Sequence, residues 1–374
     1  MEKACIRCGS LHVRRHDMRA YKEIDMTGVH WKAYQRWWCV DCRHAFIPER
    51  HQRADASPFG QEVREKATIL YVETGASYRA VVRELARYGI HGLDAKKVWT
   101  WVQELAHDCA DPFTISQRLK PCWSGWLQVD GDRLPGLEDQ SVLAPFDVGT
   151  RDIPCAFVGR ENYANYLRLF EQLKMLNYPL KGLTTDGDPS ILKAATTVYE
   201  KFFYQRCRVH LDRTLDESLR PYYTKFSKIP EEYERFSKAY TSFACAHNWT
   251  EARTWLKFLL HYPTFSRPQF KGAKEIFLRA LPQIVPAFFH PELSRSTNLV
   301  ENFFRFIDRR ITPMDRFHGE DTAQAMVKLI ILWYRFHKFI NPSKRYWHIK
   351  GKSPLQLAGV KTDKLNWLKV GLRK

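Results

Sequence analysis

Three acidic residues of this sequence stand where their carboxylates could share a cleft. Asp130 ends the apolar run GWLQVD, and Asp186 ends the similar run LKGLTTD. Glu301 lies in a later stretch whose apolar residues recur at helical spacing. Carboxylates are the ligands that hard divalent cations prefer, and two such cations about 3.5–4 Å apart stabilise the attacking and leaving oxygens of a phosphodiester. These residues therefore predict metal-dependent phosphoryl transfer.

Each aspartate has a rival two positions later in the chain. Asp132 follows Asp130 and lies on the same side of an extended strand, so it competes for the first ligand position. Asp188 is a weaker rival to Asp186. A single acidic residue is more often solvated than functional. The two DGD strand ends and the helix carboxylate together favour a site, but their spacing alone does not join them.

The segment around Glu301 has the pattern of an amphipathic helix. Its apolar face carries Val300, Phe303, Phe304, Ile307 and Ile311. The adjacent face, about a quarter-turn away, carries Asn298, Glu301, Arg305, Asp308 and Thr312. Glu301 therefore lies beside the core, where it can point into a cleft, and Arg305 follows one turn later to meet a phosphate. Asn298 and Arg305 are predicted to line the active site.

Four cysteines form two paired turns near the start of the sequence. Cys5-x2-Cys8 and Cys39-x2-Cys42 are separated by a basic, strand-like stretch. Zinc prefers four tetrahedral thiolates, and each CxxC turn supplies two of them. The pattern predicts a structural zinc ribbon, with free or redox-active thiols as the alternative. Four thiolates fill the coordination sphere and leave no position for catalysis.

Residues 58–108 predict three helices. Gly75 ends the first helix, Ser77 is placed to cap the second, and Asp94 is placed to cap the third. On the third helix, the residues expected to face outward are Lys96, Lys97, Thr100 and Gln103. A polar and basic third helix supported by a second is the geometry that reads the major groove of DNA, so we expect a helix-turn-helix. The alternative is an ordinary three-helix packing unit.

The charge of the chain favours a polyanionic partner. Lys and Arg total 59 against 41 Asp and Glu, which gives a formal net charge of +18. Neutralising phosphates with such residues releases condensed counterions, and double-stranded DNA is therefore the expected partner. Further basic candidates for DNA contact are Arg309 and Arg310. A hydrophobic fraction of 44% excludes a disordered chain.

Neither a membrane span nor a secretory signal is expected. The sequence has no run of about 18 apolar residues, and its first residues, MEKACIRCGS, include no apolar h-region. Nine cysteines without an export signal indicate metal ligands and buried thiols rather than disulfides. We expect a cytoplasmic protein associated with a prokaryotic nucleoid.

The pattern along the chain predicts a multidomain α/β protein. Short β-type runs alternate with helical runs over residues 122–226, as in an α/β domain. Aromatic-rich helical segments broken by prolines follow at about 228–292. The expected regions are a zinc ribbon (1–52), a helix-turn-helix domain (58–108), a catalytic domain (122–340) and a basic C-terminal tail (341–374).

Two segments of the chain resemble Mutator-type insertion-sequence transposases. The run TTDGDPSILKAATTVYEKFFYQRCRVHLDRTL is similar to their second-aspartate block, including a C-x2-H signature at Cys207 and His210. The run RSTNLVENFFRFIDRRITPMDRF resembles the block around their catalytic glutamate, and GWLQVDGD resembles their first-aspartate strand. The likeness covers roughly residues 122–340. A zinc ribbon with a helix-turn-helix also occurs in related families, so the subfamily stays open.

The resemblance implies an RNase H-like fold with Asp130, Asp186 and Glu301 as a DDE triad that binds Mg²⁺ or Mn²⁺. It also implies that the helical segment at about 228–292 is an all-α insertion in the catalytic domain. Cys207 and His210 are expected to line the active site, with a zinc half-site or simple packing as the alternatives.

The expected function is that of an insertion-sequence DNA transposase. Such an enzyme binds terminal inverted repeats, cleaves one strand with water, and joins the freed 3′-hydroxyl to target DNA. Because two DNA ends must be joined, we expect a homodimer or a higher oligomer on DNA. Two alternatives stay open: a transposase-derived DNA-binding regulator without catalysis, and a structure-specific RNase H-like nuclease that cuts without joining.

Overall fold

The chain forms two compact units, Met1–Leu105 and Ala106–Lys374. The structure is a computed structural model, and the residues that it describes are 4–48, 58–224, 228–314, 316–317 and 319–372. Within these ranges, none of the helices combines the length and the apolar character needed to cross a membrane. The last residues of the predicted zinc ribbon, 49–52, lie outside the described residues.

The first unit begins with a small antiparallel sheet. Its strands are β1 (Val13–Asp25), β2 (Gly28–Cys39) and β3 (Ala45–Phe46), paired in the order β1-β2-β3. A tight turn joins the two long strands, and the carboxylate of Asp25 accepts the N–H of Thr27 at 2.8 Å. The alternating WKAYQRWW segment is therefore a strand, as its pattern predicts.

Three helices follow in the first unit: α1 (Gln61–Thr74), α2 (Tyr78–Arg87) and α3 (Ala95–Asp108). The predicted end signals are confirmed. Gly75 ends α1 with a left-handed backbone, the Ser77 hydroxyl accepts the Ala80 N–H, and the Asp94 carboxylate accepts the Lys97 N–H. Four apolar residues of α3 are buried: Val98, Trp101, Val102 and Leu105.

The second unit is a mixed α/β structure around a five-stranded sheet. Its strands are β4 (Trp126–Arg133), β5 (Ser141–Asp147), β6 (Phe157–Gly159), β7 (Gly182–Thr185) and β8 (Phe203–Arg206). The strand order is β6-β5-β4-β7-β8, in which β4 pairs antiparallel with β5 and parallel with β7. The sequence did not indicate β8, because its residues show no apolar pattern: Phe203 is exposed, whereas the residue that is buried is Gln205.

One face of this sheet packs on helices that lie close to the strands in sequence. The helices are α4 (Pro112–Leu119), α5 (Tyr163–Met175) and α6 (Pro189–Val198). Leu127, Val129 and Leu183 join the apolar cluster that α5 and α6 complete. Because side chains alternate along a strand, Gln128 and Asp130 project from the opposite face.

A helical cluster follows β8. Its helices are α7 (Arg208–Tyr223), α8 (Glu231–Cys245), α9 (Trp249–His261) and α10 (Pro268–Ile284). They enclose an aromatic core of their own. The helical character predicted for residues 228–292 is confirmed, but the cluster begins earlier than expected, since Leu211, Leu215 and Leu219 of α7 belong to the same core.

Two further helices, α11 (Asn298–Ile311) and α12 (Glu320–Phe336), pack against strands β4 to β6. The predicted apolar face of α11 is confirmed, because all five of its residues are buried: Val300, Phe303, Phe304, Ile307 and Ile311. The first turn of α11 lies at Gln128, whose side-chain carbonyl oxygen accepts the Val300 N–H at 3.0 Å.

The C-terminal segment is packed rather than loose. Its short helices α13 (Pro354–Leu357) and α14 (Trp367–Leu372) contact α12. Leu355 and Leu368 are fully buried, and Ala110 donates its N–H to the Gly371 carbonyl. The segment predicted as a basic C-terminal tail at 341–374 thus contains two helices that the sequence did not indicate, since helices of four and six residues are too short to show helical periodicity.

A buried ion pair ties α12 to the loop after β5. Arg335 donates to both carboxylate oxygens of Asp152 at 2.8 Å and to the Pro112 carbonyl at 3.0 Å. Neither side chain of the pair is exposed to solvent. Trp123 donates a further hydrogen bond to Asp152. Removing one partner would leave a buried charge without compensation.

Arg335→Met is therefore expected to lower the free energy of unfolding by about 3–5 kcal/mol, because Asp152 stays buried and loses its cation. Urea denaturation followed by fluorescence measures the change. The matched control is Arg220→Met, whose exposed pair with Asp216 is worth less than about 1 kcal/mol. Equal losses in the two variants would contradict the importance of the buried pair.

Candidate active site and metal centre

The predicted carboxylates lie on one face of the five-stranded sheet. Asp130 is in β4, and Asp186 follows β7 directly. Since Gln128 pairs with Thr184 in the parallel register, Asp130 and Asp186 stand at the same level of adjacent strands. Glu301 is in the first turn of α11, the helix that packs on this face of β4. The three acidic residues predicted from the sequence thus come together in space.

The pKa of Asp130 reflects the proximity of the other two carboxylates. Burial raises the pKa of Asp130 to about 7, and the negative charge of Asp186 adds to the rise, followed by that of Glu301. The Gly131 N–H and His210 oppose the shift. Crowded, desolvated carboxylates disfavour ionisation unless a cation joins them.

Asp132 belongs to a different acidic group. Burial raises its pKa to about 7, and Asp308 of α11 is the strongest charged contributor, followed by Glu161. Asp308 lies two turns of α11 beyond Glu301. The geometry therefore favours Asp130 over Asp132 as the residue that shares a site with Asp186.

Asp188 is engaged locally. Its carboxylate accepts the Ser190 N–H at 2.7 Å and so caps α6, which begins at Pro189. Asp186 in turn accepts the Asp188 N–H at 2.8 Å. The capping role makes Asp188 the weaker candidate ligand, as the sequence suggests.

Gln128 holds the start of α11 against the sheet. Its amide nitrogen donates to the Ser294 hydroxyl at 2.7 Å and to the Ser296 carbonyl at 2.8 Å, while its oxygen accepts from Val300. Thr184 of β7 donates to the Ser294 carbonyl. Sequence analysis missed Gln128, although a glutamine inside the apolar run GWLQVD was a usable signal of a buried polar contact.

Thr297 links Glu301 to the C-x2-H residues. Its hydroxyl donates to a Glu301 carboxylate oxygen at 2.9 Å and lies 3.5 Å from both the Cys207 sulfur and His210 Nδ1. The Thr297 N–H also approaches the Cys207 sulfur at 3.4 Å. Thr297 was missed as well, because its position before a helix suggests an ordinary cap, yet its side chain makes no capping bond.

The side chains of Cys207 and His210 form a hydrogen bond near the carboxylates, and each shifts the pKa of the other. Burial raises the pKa of Cys207, but hydrogen bonds with His210 and Thr297 outweigh it, so the net shift is downward. The contact with Cys207 raises the pKa of His210, and burial opposes it; Asp130 and Asp186 contribute to the rise. Both residues therefore line the acidic site, whereas no zinc half-site completes them among the described residues.

The three carboxylates offer hard oxygen ligands to a divalent cation. Oxygen donors are what Mg²⁺ and Mn²⁺ prefer, and the upward pKa shift of Asp130 shows that the site would gain from positive charge. The carboxylate oxygens lie farther apart than the cysteine sulfurs. Within the described ranges, the cysteine cluster is the group whose ligand atoms all lie within 4.8 Å of one another.

The four cysteines of the CxxC turns form that cluster. Cys5 and Cys42 have their sulfurs 3.6 Å apart, as do Cys8 and Cys39. A tetrahedral zinc with bonds of about 2.3 Å requires sulfur separations of about 3.8 Å, so the four side chains fit the ion. The surrounding core is small, with Phe46 as its buried aromatic residue. A metal-bound core would compensate for this lack of apolar burial.

Two residues predicted to contact DNA do not face solvent. Gln103 on α3 is 7% exposed, because the C-terminal half of α3 is enclosed on more than one side. Arg310 on α11 is 8% exposed, and its guanidinium stacks over Phe306 and Trp333 at 3.7 and 4.3 Å. The expectation that Gln103 faces outward is therefore wrong, and the burial of Arg310 speaks against its predicted contact with DNA.

The other predicted contact residues are accessible. Lys96 is exposed on α3, while Lys97 and Thr100 are partly exposed. On α11, the predicted site residues Asn298, Arg305 and Arg309 are exposed. Their role in binding DNA stays a prediction.

Cys8→Ser is expected to lower zinc affinity by more than about 100-fold, because even the loss of an outer-shell partner costs 10–100-fold. Elemental analysis should find about one zinc per wild-type chain and little in the variant after dialysis. The matched control is Cys122→Ser, which alters an exposed cysteine outside the cluster. Full zinc content in Cys8→Ser would contradict a four-thiolate site.

No protein-family model matches this chain, and no similar sequence is found among curated proteins. What the chain shows by itself is a cysteine cluster compatible with a zinc ribbon and a mixed α/β unit with a five-stranded sheet.

Proposed function

We propose that this protein is a DNA transposase of an insertion sequence, with an RNase H-like catalytic domain in its second unit. The observation that carries the proposal is the convergence of Asp130, Asp186 and Glu301 on one face of the sheet, where Asp186 and Glu301 both raise the pKa of Asp130. These are the residues that the resemblance to Mutator-type transposases assigns to a DDE triad.

Asp130, Asp186 and Glu301 would hold Mg²⁺ or Mn²⁺. When bound, such ions activate a water and stabilise the attacking and leaving oxygens of phosphoryl transfer. Thr297 orients the Glu301 carboxylate through its hydrogen bond, and Gln128 fixes the helix that carries it. Arg305, exposed one turn beyond Glu301, is placed to meet a DNA phosphate.

The first unit would supply DNA recognition. Its zinc ribbon and three-helix segment, which we propose to be a helix-turn-helix, would bind the terminal inverted repeats. The exposed Lys96 and the partly exposed Lys97 and Thr100 lie on the N-terminal half of α3, the part of a recognition helix that reaches base edges. The net charge of +18 supports an extended contact with phosphates.

Joining two DNA ends requires two active sites or one site used twice. We therefore propose that the active form on DNA is a homodimer or a larger assembly that also engages the target duplex. The organisation in a cell would be that of a nucleoid-associated enzyme.

Glu301→Gln is expected to reduce strand cleavage and strand joining at least 100-fold, because it removes a negative charge from the metal ligands while keeping the side-chain volume. The assay uses a labelled duplex that carries the terminal inverted repeats flanking the coding sequence, with Mg²⁺ or Mn²⁺. The matched control is Glu171→Gln on the exposed side of α5, which should keep wild-type activity.

The products distinguish the functions. Cleavage without joining would support a structure-specific nuclease instead. Tight DNA binding by the wild type without cleavage in either metal would replace the transposase with a DNA-binding regulator.

Lys96→Ala is expected to weaken binding to the terminal-repeat duplex by about 3–10-fold, since it removes one exposed cation from the proposed recognition helix. Fluorescence anisotropy at several salt concentrations measures the effect. Lys271→Ala, an exposed lysine of α10, serves as the control. An equal loss in both variants would argue for diffuse charge attraction rather than recognition by α3.

A further inference from the structure

A polar cavity lies in the second unit, next to the start of α11. Its volume is about 690 Å³. It is bordered by the loop after β5, the chain before α11, and the 3₁₀ segment Lys344–Ile349. Its charged side chains are three arginines and one histidine against a single carboxylate, namely Arg151, Arg295, Arg345, His247 and Glu292. The balance of the lining is positive.

Arg151 is a buried cation with an unsatisfied donor. Its side chain lines the cavity, the residue is 8% exposed, and its Nε has no hydrogen-bond partner in the described chain. One side of its guanidinium lies over the Tyr346 ring at 4.4 Å. Burying a cation with an unpaired donor costs free energy, and the negative charge of an anion in the cavity would offset part of that cost.

The carboxylates nearest to Arg151 in sequence are already engaged. Both oxygens of Asp152 bind Arg335. Asp147 accepts hydrogen bonds from six donors: the Ser124 N–H and hydroxyl, the Gly125 N–H, the Thr150 N–H and hydroxyl, and the Tyr178 hydroxyl. Both carboxylates are therefore occupied, and the positive charge of Arg151 is available to an anion from outside the loop after β5.

The backbone holds Arg151 in a costly conformation. Its φ is 62°, in the left-handed region, which is unfavourable for a residue with a side chain. The Arg151 N–H donates to the Asp147 carbonyl, and its own carbonyl accepts from the Tyr334 hydroxyl at 3.0 Å. The arginine is thus fixed in place, as expected of a group that binds a ligand.

The N-terminus of α11 opens on the same cavity. Asn298 and Leu299, the first two residues of this helix, line it. The N–H groups of a first helical turn have no partner within the helix, and the helix dipole favours an anion there. Arg345, exposed at the rim, adds a second cation. The observations together indicate a site for a phosphate.

We propose that this cavity binds a backbone phosphate of DNA, together with part of its nucleotide, at a point separate from the cleavage site. This inference rests on the proposed function, because it takes DNA as the ligand. The volume suits a nucleotide rather than a lone anion. Val148, at the cavity wall, pairs with Trp126 at the start of β4, about 13 Å along the strand from Asp130. The opposite side of the cavity, at Asn298, lies one turn of α11 before Glu301. A phosphate held at the Arg151 end is therefore not the one being cleaved.

The test compares the full-length protein with Arg151→Gln in binding to a labelled short duplex, without added divalent metal. The variant is expected to bind about tenfold or more weakly, as for a lost hydrogen bond to a charged group. Its slope of log K against log salt is expected to fall in magnitude by about 0.9, the value for one phosphate contact. The matched control is Arg279→Gln, an exposed arginine paired with Glu275, which should leave affinity and slope unchanged.

A second variant keeps the test valid if Arg151→Gln disturbs folding. Arg345→Gln changes an exposed side chain of the same cavity and should lower the salt slope in the same direction. Wild-type affinity and slope in both cavity variants would overturn the proposal.

Inorganic phosphate and a deoxynucleoside monophosphate are titrated calorimetrically into the same proteins. If both ligands bind weakly, and Arg151→Gln reduces their binding as well as the affinity for DNA, the cavity binds a backbone phosphate of DNA. Tight binding of either one, with DNA affinity unchanged by the substitution, would assign the cavity to a free phosphate ligand and overturn the DNA form.

Cleavage assays on the same variants separate this inference from the proposed function. If the wild-type protein does not cleave DNA, but Arg151→Gln lowers the DNA affinity and the magnitude of the salt slope, the phosphate site is supported and the transposase function is not. Cleavage by the wild type, with no effect of Arg151→Gln on binding, would retain the transposase without the site.

Discussion

The candidate active site depends on the buried amide of Gln128. This side chain is fully buried and satisfies three polar groups of the chain that leads into α11. It comes from the same strand face as Asp130, two residues earlier. Because a buried amide left without partners costs about 1–3 kcal/mol per group, the alternatives to this docking are disfavoured. The interaction therefore sets the distance between the strand aspartates and the helix glutamate, which lie more than 100 residues apart in sequence.

The packing of α11 on β4 brings the carboxylates of Asp130, Asp186 and Glu301 close together, although their negative charges repel one another. Burial and neighbouring charge both raise the pKa of Asp130, so the folded protein carries an electrostatic cost at this point. His210 offsets part of it, since its own pKa is raised by Cys207 and by the two aspartates. A purely structural cluster would gain nothing from this arrangement. A site whose ligand is a cation gains stability on binding, and this is the physical argument for metal-dependent chemistry.

Local signals in the sequence specified the elements better than their contacts. Glycine and capping residues predicted the ends of α1 and the starts of α2 and α3, and apolar spacing gave the buried face of α11. The glutamine in GWLQVD signals a buried polar contact, but its partners come from a distant segment, as do the Cys207 and His210 contacts of Thr297, so the sequence did not identify them. Burial of Arg310 depends on Trp333 of another helix, which no spacing within α11 reveals. Tertiary packing decides such positions, whereas periodicity records only which side of a helix is apolar.

The N-terminus of α11 serves two charge requirements at once. Its dipole favours negative charge near the first turn, which carries Glu301 and opens on the cavity lined by Asn298. Thr297 does not cap the helix and instead donates to Glu301, so its side chain does not satisfy the first amides. A phosphate at Arg151 and a cation at Glu301 would each lower the electrostatic cost of this junction. One rigid helix can thus fix the spacing between a held phosphate and the reacting one.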